Sequence, residues 1–301
     1  MGTARGVVGG FCRTAAIAVC MAGQVAAAAA PVEPPACDAA GADRDAFDMQ
    51  IPFEVIDGRI YVQAAVNGRG PFRFALDTGA SGLARADASL VAVLGLAISP
   101  PVANSDGVAT AAADTTTIDV LDVGGIVQRD LRVITRDYNR GMSPDSALSG
   151  IVAREFFADG LLVIDYPRKL VSFSRRLGLS PLQEGVLRYE RAFRVPVSIG
   201  GLQVEGNLDT GANVAFVLPG ALFDKVSTST ADPVGQGRLA NTTVDTLRAT
   251  VRGPFVIGQA SLEDVEVRVS AQYPELLVGA HALQSFVVLI DQRSRSVAVC
   301  R

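Results

Sequence analysis

FALDTGASG, residues 74–82, closes an apolar run with Asp-Thr-Gly, and GNLDTGANV, residues 206–214, does the same 132 positions later. One Asp-Thr-Gly alone is an ordinary turn, in which Asp accepts backbone N–H groups and Gly adopts a conformation other residues resist. The copy changes that reading, because other landmarks repeat with it. DVGGIVQRDLRV (122–133) matches VIGQASLEDVEV (256–267), pairing Gly124 with Gly258 and Asp130 with Asp264. LSGIVAREFF (148–157) matches LVGAHALQSF (277–286), pairing Gly150 with Gly279 and Phe157 with Phe286. LLVIDYPRKLVSFSR (161–175) matches VVLIDQRSRSVAVCR (287–301), pairing Asp165 with Asp291. The offsets are 132, 134, 129 and 126, a slow drift of the kind loop insertions produce. Two homologous lobes are expected, residues 51–180 and 181–301, joined near LGLSPLQEG (177–185).

Between these landmarks the pattern is short strands and Gly-rich turns. RIYVQAAV alternates, NGRG supplies a hairpin turn, and PFRFAL leads into Asp77. The best short helices are around ADASLVAVLGL and after Gly150.

Equivalent residues of a duplicated chain meet at a pseudo-two-fold axis. Asp77 and Asp209 brought together there cannot both ionise easily, so one holds a proton while the other stays anionic. Such a pair binds a water, takes a proton from it as it attacks a peptide carbonyl, and donates a proton to the carbonyl oxygen. Thr78 and Thr210 are placed to hydrogen-bond across the lobe boundary. Gly79 and Gly211 let the backbone approach the carboxylates closely.

From about residue 51 to its end the chain resembles a two-lobed aspartic protease of the pepsin and retropepsin superfamily. The likeness rests on LDTGAS (76–81), LDTGAN (208–213), and a later motif of two apolar residues before Gly. That motif is LLVG at 276–279 and ALSG at 147–150, where Ser149 replaces an apolar residue. The resemblance implies a mainly β, bilobal acid-protease fold, two homologous β-barrel-like lobes with the active site between them. It implies an endopeptidase with catalytic Asp77 and Asp209, no cofactor or metal, and an extended polypeptide substrate. The match is closer to bacterial retropepsin-like proteases, since Ala80 and Ala212 stand where pepsins carry a hydroxyl. A hydroxyl there favours the charged carboxylate and alanine cannot, so mildly acidic working conditions are expected. Retropepsins assemble the site from two chains; here one chain holds both halves and is expected to act as a monomer. NSDGVATAAADTTTIDV (104–120) is the candidate flap over the cleft, and reads equally as an exposed polar hairpin.

Residues 1–30 carry Arg5 and Arg13, an Ala-rich apolar run and a small-residue end, the pattern of a cleaved export signal. A periplasmic or secreted protein without a membrane span after cleavage is expected. Residues 31–50, PVEPPACDAAGADRDAFDMQ, read as a linker. With the leader removed, its two arginines leave 25 basic residues against 31 acidic, a net charge of −6 with no basic stripe for nucleic acid. Cys12 and Cys20 fall in the leader. Cys37 and Cys300 remain, and in an oxidising compartment they either pair and staple the chain's ends or stay free.

Other chemistries find little support. A serine triad needs a histidine, and the single one, His281, reads as structural; there is no Gly-x-Ser-x-Gly elbow. Asp114, Asp119 and Asp122 match no calcium loop, and NTT (241–243) is a nominal glycosylation acceptor. The competing reading is an exported peptide-binding module that keeps the bilobal cleft without turnover.

Overall fold

The computed structural model describes residues 1–4, 6, 9, 35–191 and 193–301, so almost all of the expected leader lies outside the described residues. Among the described residues no helix is long and apolar enough to cross a membrane. The chain from residue 35 onward is mainly β, in three sheets.

The first-lobe sheet has eight strands. Arg59–Val66 and Arg69–Asp77 form a hairpin whose turn places Asn67 and Gly68 at φ 51° and 73°, the left-handed pair that Asn-Gly favours. Ala65 and Val66 also pair with Asp122 and Leu121, which curls the sheet toward a barrel. Apolar residues at alternate positions, Ile60, Val62, Phe74 and Leu76, fill its interior. The second-lobe sheet has nine strands and repeats this plan, with Arg194–Ile199 and Leu202–Asp209 as the corresponding hairpin.

In each lobe the aspartate-bearing strand runs parallel to a later strand, with Asp77 opposite Ala153 and Asp209 opposite Gly279. The chain then returns antiparallel on that strand's other side, Ala84 facing Val152 and Phe216 facing Val278. A short helix follows each return, Ala88–Leu94 and Gly220–Val226. Asp87 caps the first by accepting Ser89 N–H at 2.9 Å, and Gly95 ends it at φ 66°. The segment after Gly150, expected as helix, is instead the strand Gly150–Ala153 and a single 3₁₀ turn, Arg154–Phe157.

The third sheet joins the lobes. Its six strands run in the order Met49–Pro52, Leu170–Ser174, Leu161–Asp165, Val287–Asp291, Ser296–Cys300, Leu187–Arg188. At its centre Leu161 faces Asp291 and Asp165 faces Val287, a self-complementary register that marks the pseudo-two-fold axis.

The expected linker is not slack. Ala36–Gly41 and Arg44–Ala46 are 3₁₀ turns, Met49–Pro52 is an edge strand of the joining sheet, and Ala36, Phe47 and Met49 are buried. A first-lobe boundary at residue 51 therefore cuts through a strand. The Pro, Ala and Asp content that reads as linker is also what tight turns use, and a few apolar residues suffice to dock them. Cys37 and Cys300 are disulfide-bonded, their Cα atoms 5.8 Å apart.

Candidate active site

Each Asp-Thr-Gly loop leaves the end of its strand at the lobe boundary, where the two threonines interlock. Thr78 N–H donates to Thr210 Oγ1 at 3.1 Å and Thr210 N–H to Thr78 Oγ1 at 3.0 Å. Each hydroxyl then donates across to the strand before the opposite loop, Thr78 to Leu208 O at 3.0 Å and Thr210 to Leu76 O at 2.8 Å. Both threonines are buried. Four hydrogen bonds away from water fix one loop against the other.

The glycines sit where the carboxyls come closest. A Cβ on Gly79 would lie 2.4 Å from Asp209 Oδ2, and one on Gly211 would lie 2.5 Å from Asp77 Oδ2. Any side chain at either position would displace the opposite lobe's carboxyl. Both aspartates keep a partly accessible face. Burial raises the pKa of Asp209, and the adjacent Asp77 carboxyl raises it further, through its charge and a hydrogen bond between the two groups.

In both loops backbone N–H groups face the carboxyl. Asp77 Oδ1 accepts from Gly79 N at 2.8 Å and Ala80 N at 3.0 Å, Asp209 Oδ1 accepts from Gly211 N at 2.8 Å, and the Ala212 N–H lies close enough to the Asp209 carboxyl to favour its charged form.

Behind the loops the second landmark falls in a different register from the one the sequence suggests. Ala153, Arg154 and Glu155 donate their N–H groups to Leu83, Ala80 and Gly82, and Gly279, Ala280 and His281 donate to Ala215, Ala212 and Val214. Ala153 is thus the counterpart of Gly279, GIVA corresponds to LLVG, and Gly150 is not the matching glycine. Ser149 does not back the first loop; it bonds to Arg73 and Asp87. The cause is an insertion. Thirteen residues, 137–149, link Ile126–Arg136 to Gly150–Ala153, where five, 271–275, serve in the second lobe. The difference of eight drops the offset from 134 to 126 in one step.

Several supporting residues escaped the sequence analysis. Arg59 Nε donates to Gly211 O at 2.7 Å, and Asn213 Nδ2 donates to Asp57 Oδ2 at 2.6 Å, so a first-lobe turn grips the second Asp-Thr-Gly loop. His281 lies against the same turn, Nε2 3.9 Å from Asp57 Oδ1. Tyr138 and Tyr273 follow equivalent strands, and each feels the aspartate of its own lobe; burial, then nearby charges, raises the Tyr273 pKa.

Hairpins rise from both lobes, Ile98–Ser105 with Thr110–Val123 and Asp232–Arg238 with Thr243–Val251. The first is the segment read as either a flap or an exposed polar hairpin, and the structure shows a hairpin there; the strands of the second carry little apolar alternation in the sequence. Their tips meet at Asn241, whose Nδ2 donates to Asn104 O at 2.7 Å and Ala109 O at 3.0 Å, and whose N–H donates to Asp106 Oδ2 at 2.7 Å. Arg136 donates to Ala240 O and Asn241 Oδ1, and Arg238 to Arg140 O.

The comparisons agree with this geometry. The family model described as aspartyl protease matches residues 62–152 and 195–282, once in each lobe and together more than half of the chain. A search of curated proteins returned no match. Each matched region begins in the first strand of the hairpin that leads to Asp-Thr-Gly and reaches the strand that backs its loop. The chain belongs to the aspartyl protease family, with the family's unit present twice in one polypeptide.

Proposed function

We propose that the chain is an exported aspartic endopeptidase that hydrolyses peptide bonds with a water activated between Asp77 and Asp209. The observation that carries this reading is the crossed threonine lattice that holds two adjacent carboxyls at the lobe boundary, with the pKa of Asp209 raised by burial and by Asp77. Asp77, with its two backbone donors, takes a proton from the water as the oxygen attacks the carbonyl carbon. Asp209 gives its proton to the carbonyl oxygen. The resulting gem-diol collapses when the nitrogen takes the proton from Asp77 and a diol hydroxyl returns one to Asp209. Amine and acid leave, the pair is reset, and no covalent intermediate forms.

The substrate is a polypeptide in extended form, and the working range is mildly acidic because Ala80 and Ala212 offer no hydroxyl to the carboxyls. Export is supported by the basic, apolar, small-residue pattern of residues 1–30, and the Cys37–Cys300 bond suits an oxidising periplasmic or extracellular space. Both halves of the site lie on one chain, which favours a working monomer.

The test is cleavage of a peptide mixture by wild type, Asp77→Asn and Asp209→Asn, from about pH 3 to about pH 8. Cleavage lost in either variant supports the enzyme. A wild type that binds peptides yet cuts none over that range is a non-catalytic peptide-binding module.

A further inference from the structure

We propose that Arg85 is a specificity residue that receives a carboxylate side chain of the substrate, Asp or Glu, in the half of the cleft walled by the first lobe. The proposal rests on the endopeptidase reading above. Arg85 lies in the strand Ala84–Asp87, which leaves the catalytic loop of Asp77. Ala84 and Ala86 are buried in the main core, so strand alternation turns Arg85 to the opposite face. There its Nη2 donates to Ser81 Oγ at 3.1 Å, four residues beyond the catalytic aspartate. The charged and titratable groups that act on it are Tyr138, Asp77, Glu155 and Arg136.

The other guanidiniums around the pair are committed. Arg59 serves Gly211 O and Asp57, Arg136 serves Ala240 O and Asn241, and Arg194 is paired with Glu275. Arg85 holds one neutral hydroxyl, and among the described residues no carboxylate lies within ion-pair distance of it. A guanidinium has five donors in a fixed fork that matches a carboxylate. Burial works against the charge of Arg85, which a substrate acid would offset.

The surroundings suit a side chain with an apolar stem and an acidic head. Tyr138 and Met142, both from the loop of residues 137–149, pack with Ala80 against a small apolar cluster separate from the main core. The second lobe lacks that longer loop, and Val217 occupies the position equivalent to Arg85. Recognition of the acid is therefore confined to one side of the scissile bond.

The experiment uses N-acetylated, C-amidated peptides with Asp, Glu, Asn or Gln placed in turn at each position flanking the cut, so that side chains supply the only carboxylates. Wild type should cut acidic peptides about 10- to 100-fold faster than their amide counterparts at one position, the range of a hydrogen-bonded charge. Arg85→Gln should collapse that ratio toward one, and Arg85→Lys should restore part of it. Thermal unfolding of each variant checks that it is folded. An unchanged ratio in folded Arg85→Gln overturns the proposal, as does a wild type without acidic preference. A preference for a free chain terminus, seen with unblocked peptides, overturns it too. Failure of wild type to cut any peptide overturns the endopeptidase reading and this proposal with it. Cleavage without acidic preference overturns this proposal alone.

Discussion

Replacing Thr210 by Val tests whether the threonine lattice holds the lobes in register. Valine keeps the shape of threonine, so no cavity opens and the change is confined to the hydroxyl. Two buried groups then lose their partners, the Thr78 N–H and the Leu76 carbonyl. Each orphaned group costs about 1–3 kcal/mol, so Thr210→Val should lose about 2–6 kcal/mol. That is a large share of the roughly 5–15 kcal/mol by which folded proteins are stable. Urea unfolding in an Asp77→Asn background, which removes self-cleavage, reads the loss as a lower midpoint at unchanged slope. Thr78→Val strands the mirror pair, Thr210 N–H and Leu208 O, and should cost the same within about 1 kcal/mol. A loss below about 0.5 kcal/mol, the level of an ordinary surface change, would refute the reasoning. So would one threonine carrying the whole effect.

A methyl at Gly279 would sit 2.2 Å from Val214 O, so Gly279→Ala should cost about 3 kcal/mol or more in the same unfolding assay. Ala153→Gly, at the equivalent place, should cost only about 0.5–1 kcal/mol. Asn241→Ala removes the bonds joining the hairpin tips, and amide hydrogen exchange at residues 104–110 and 239–243 should quicken while the core stays protected; unaltered exchange there counts against the tip contact. The raised pKa of Asp209 means the folded chain keeps a proton that the unfolded chain releases above about pH 4. Stability from this group is full below that pH and declines as pH rises toward the raised value. Asp209→Asn, which does not titrate, should flatten the decline when midpoints at about pH 4.5 and about pH 7.5 are compared.

The aspartates, threonines and glycines of the site were legible because duplication repeats them at one spacing, and a motif seen twice outweighs its bland reading as a turn. The backing strand was legible only approximately. Gly150 matched Gly279 by identity, yet the two glycines answer different constraints. At Gly279 a Cβ meets the carbonyl of Val214; at Gly150 it meets the ring of Phe74 and the carbonyl of Arg85. In the equivalent first-lobe place, Ala153 is accommodated. Letters alone do not distinguish these crowdings, and the insertion at 137–149 hid the true register. The docked segment around Phe47 and the second hairpin were missed for a related reason. Each is fixed by contacts with distant residues, such as Asn241 with Asn104, and not by a local pattern. Arg85 carries no sequence signal at all, since its meaning depends on which neighbouring acids are already taken.

The bond between Cys37 and Cys300 makes nearly the whole folded chain a covalent ring. A single cut anywhere between those residues opens the ring without freeing a piece. The nicked molecule keeps its full mass plus one water, and separates into two fragments only when reduced. One accidental cut, in an exposed hairpin for example, therefore linearises the ring and leaves the two Asp-Thr-Gly loops tethered to each other.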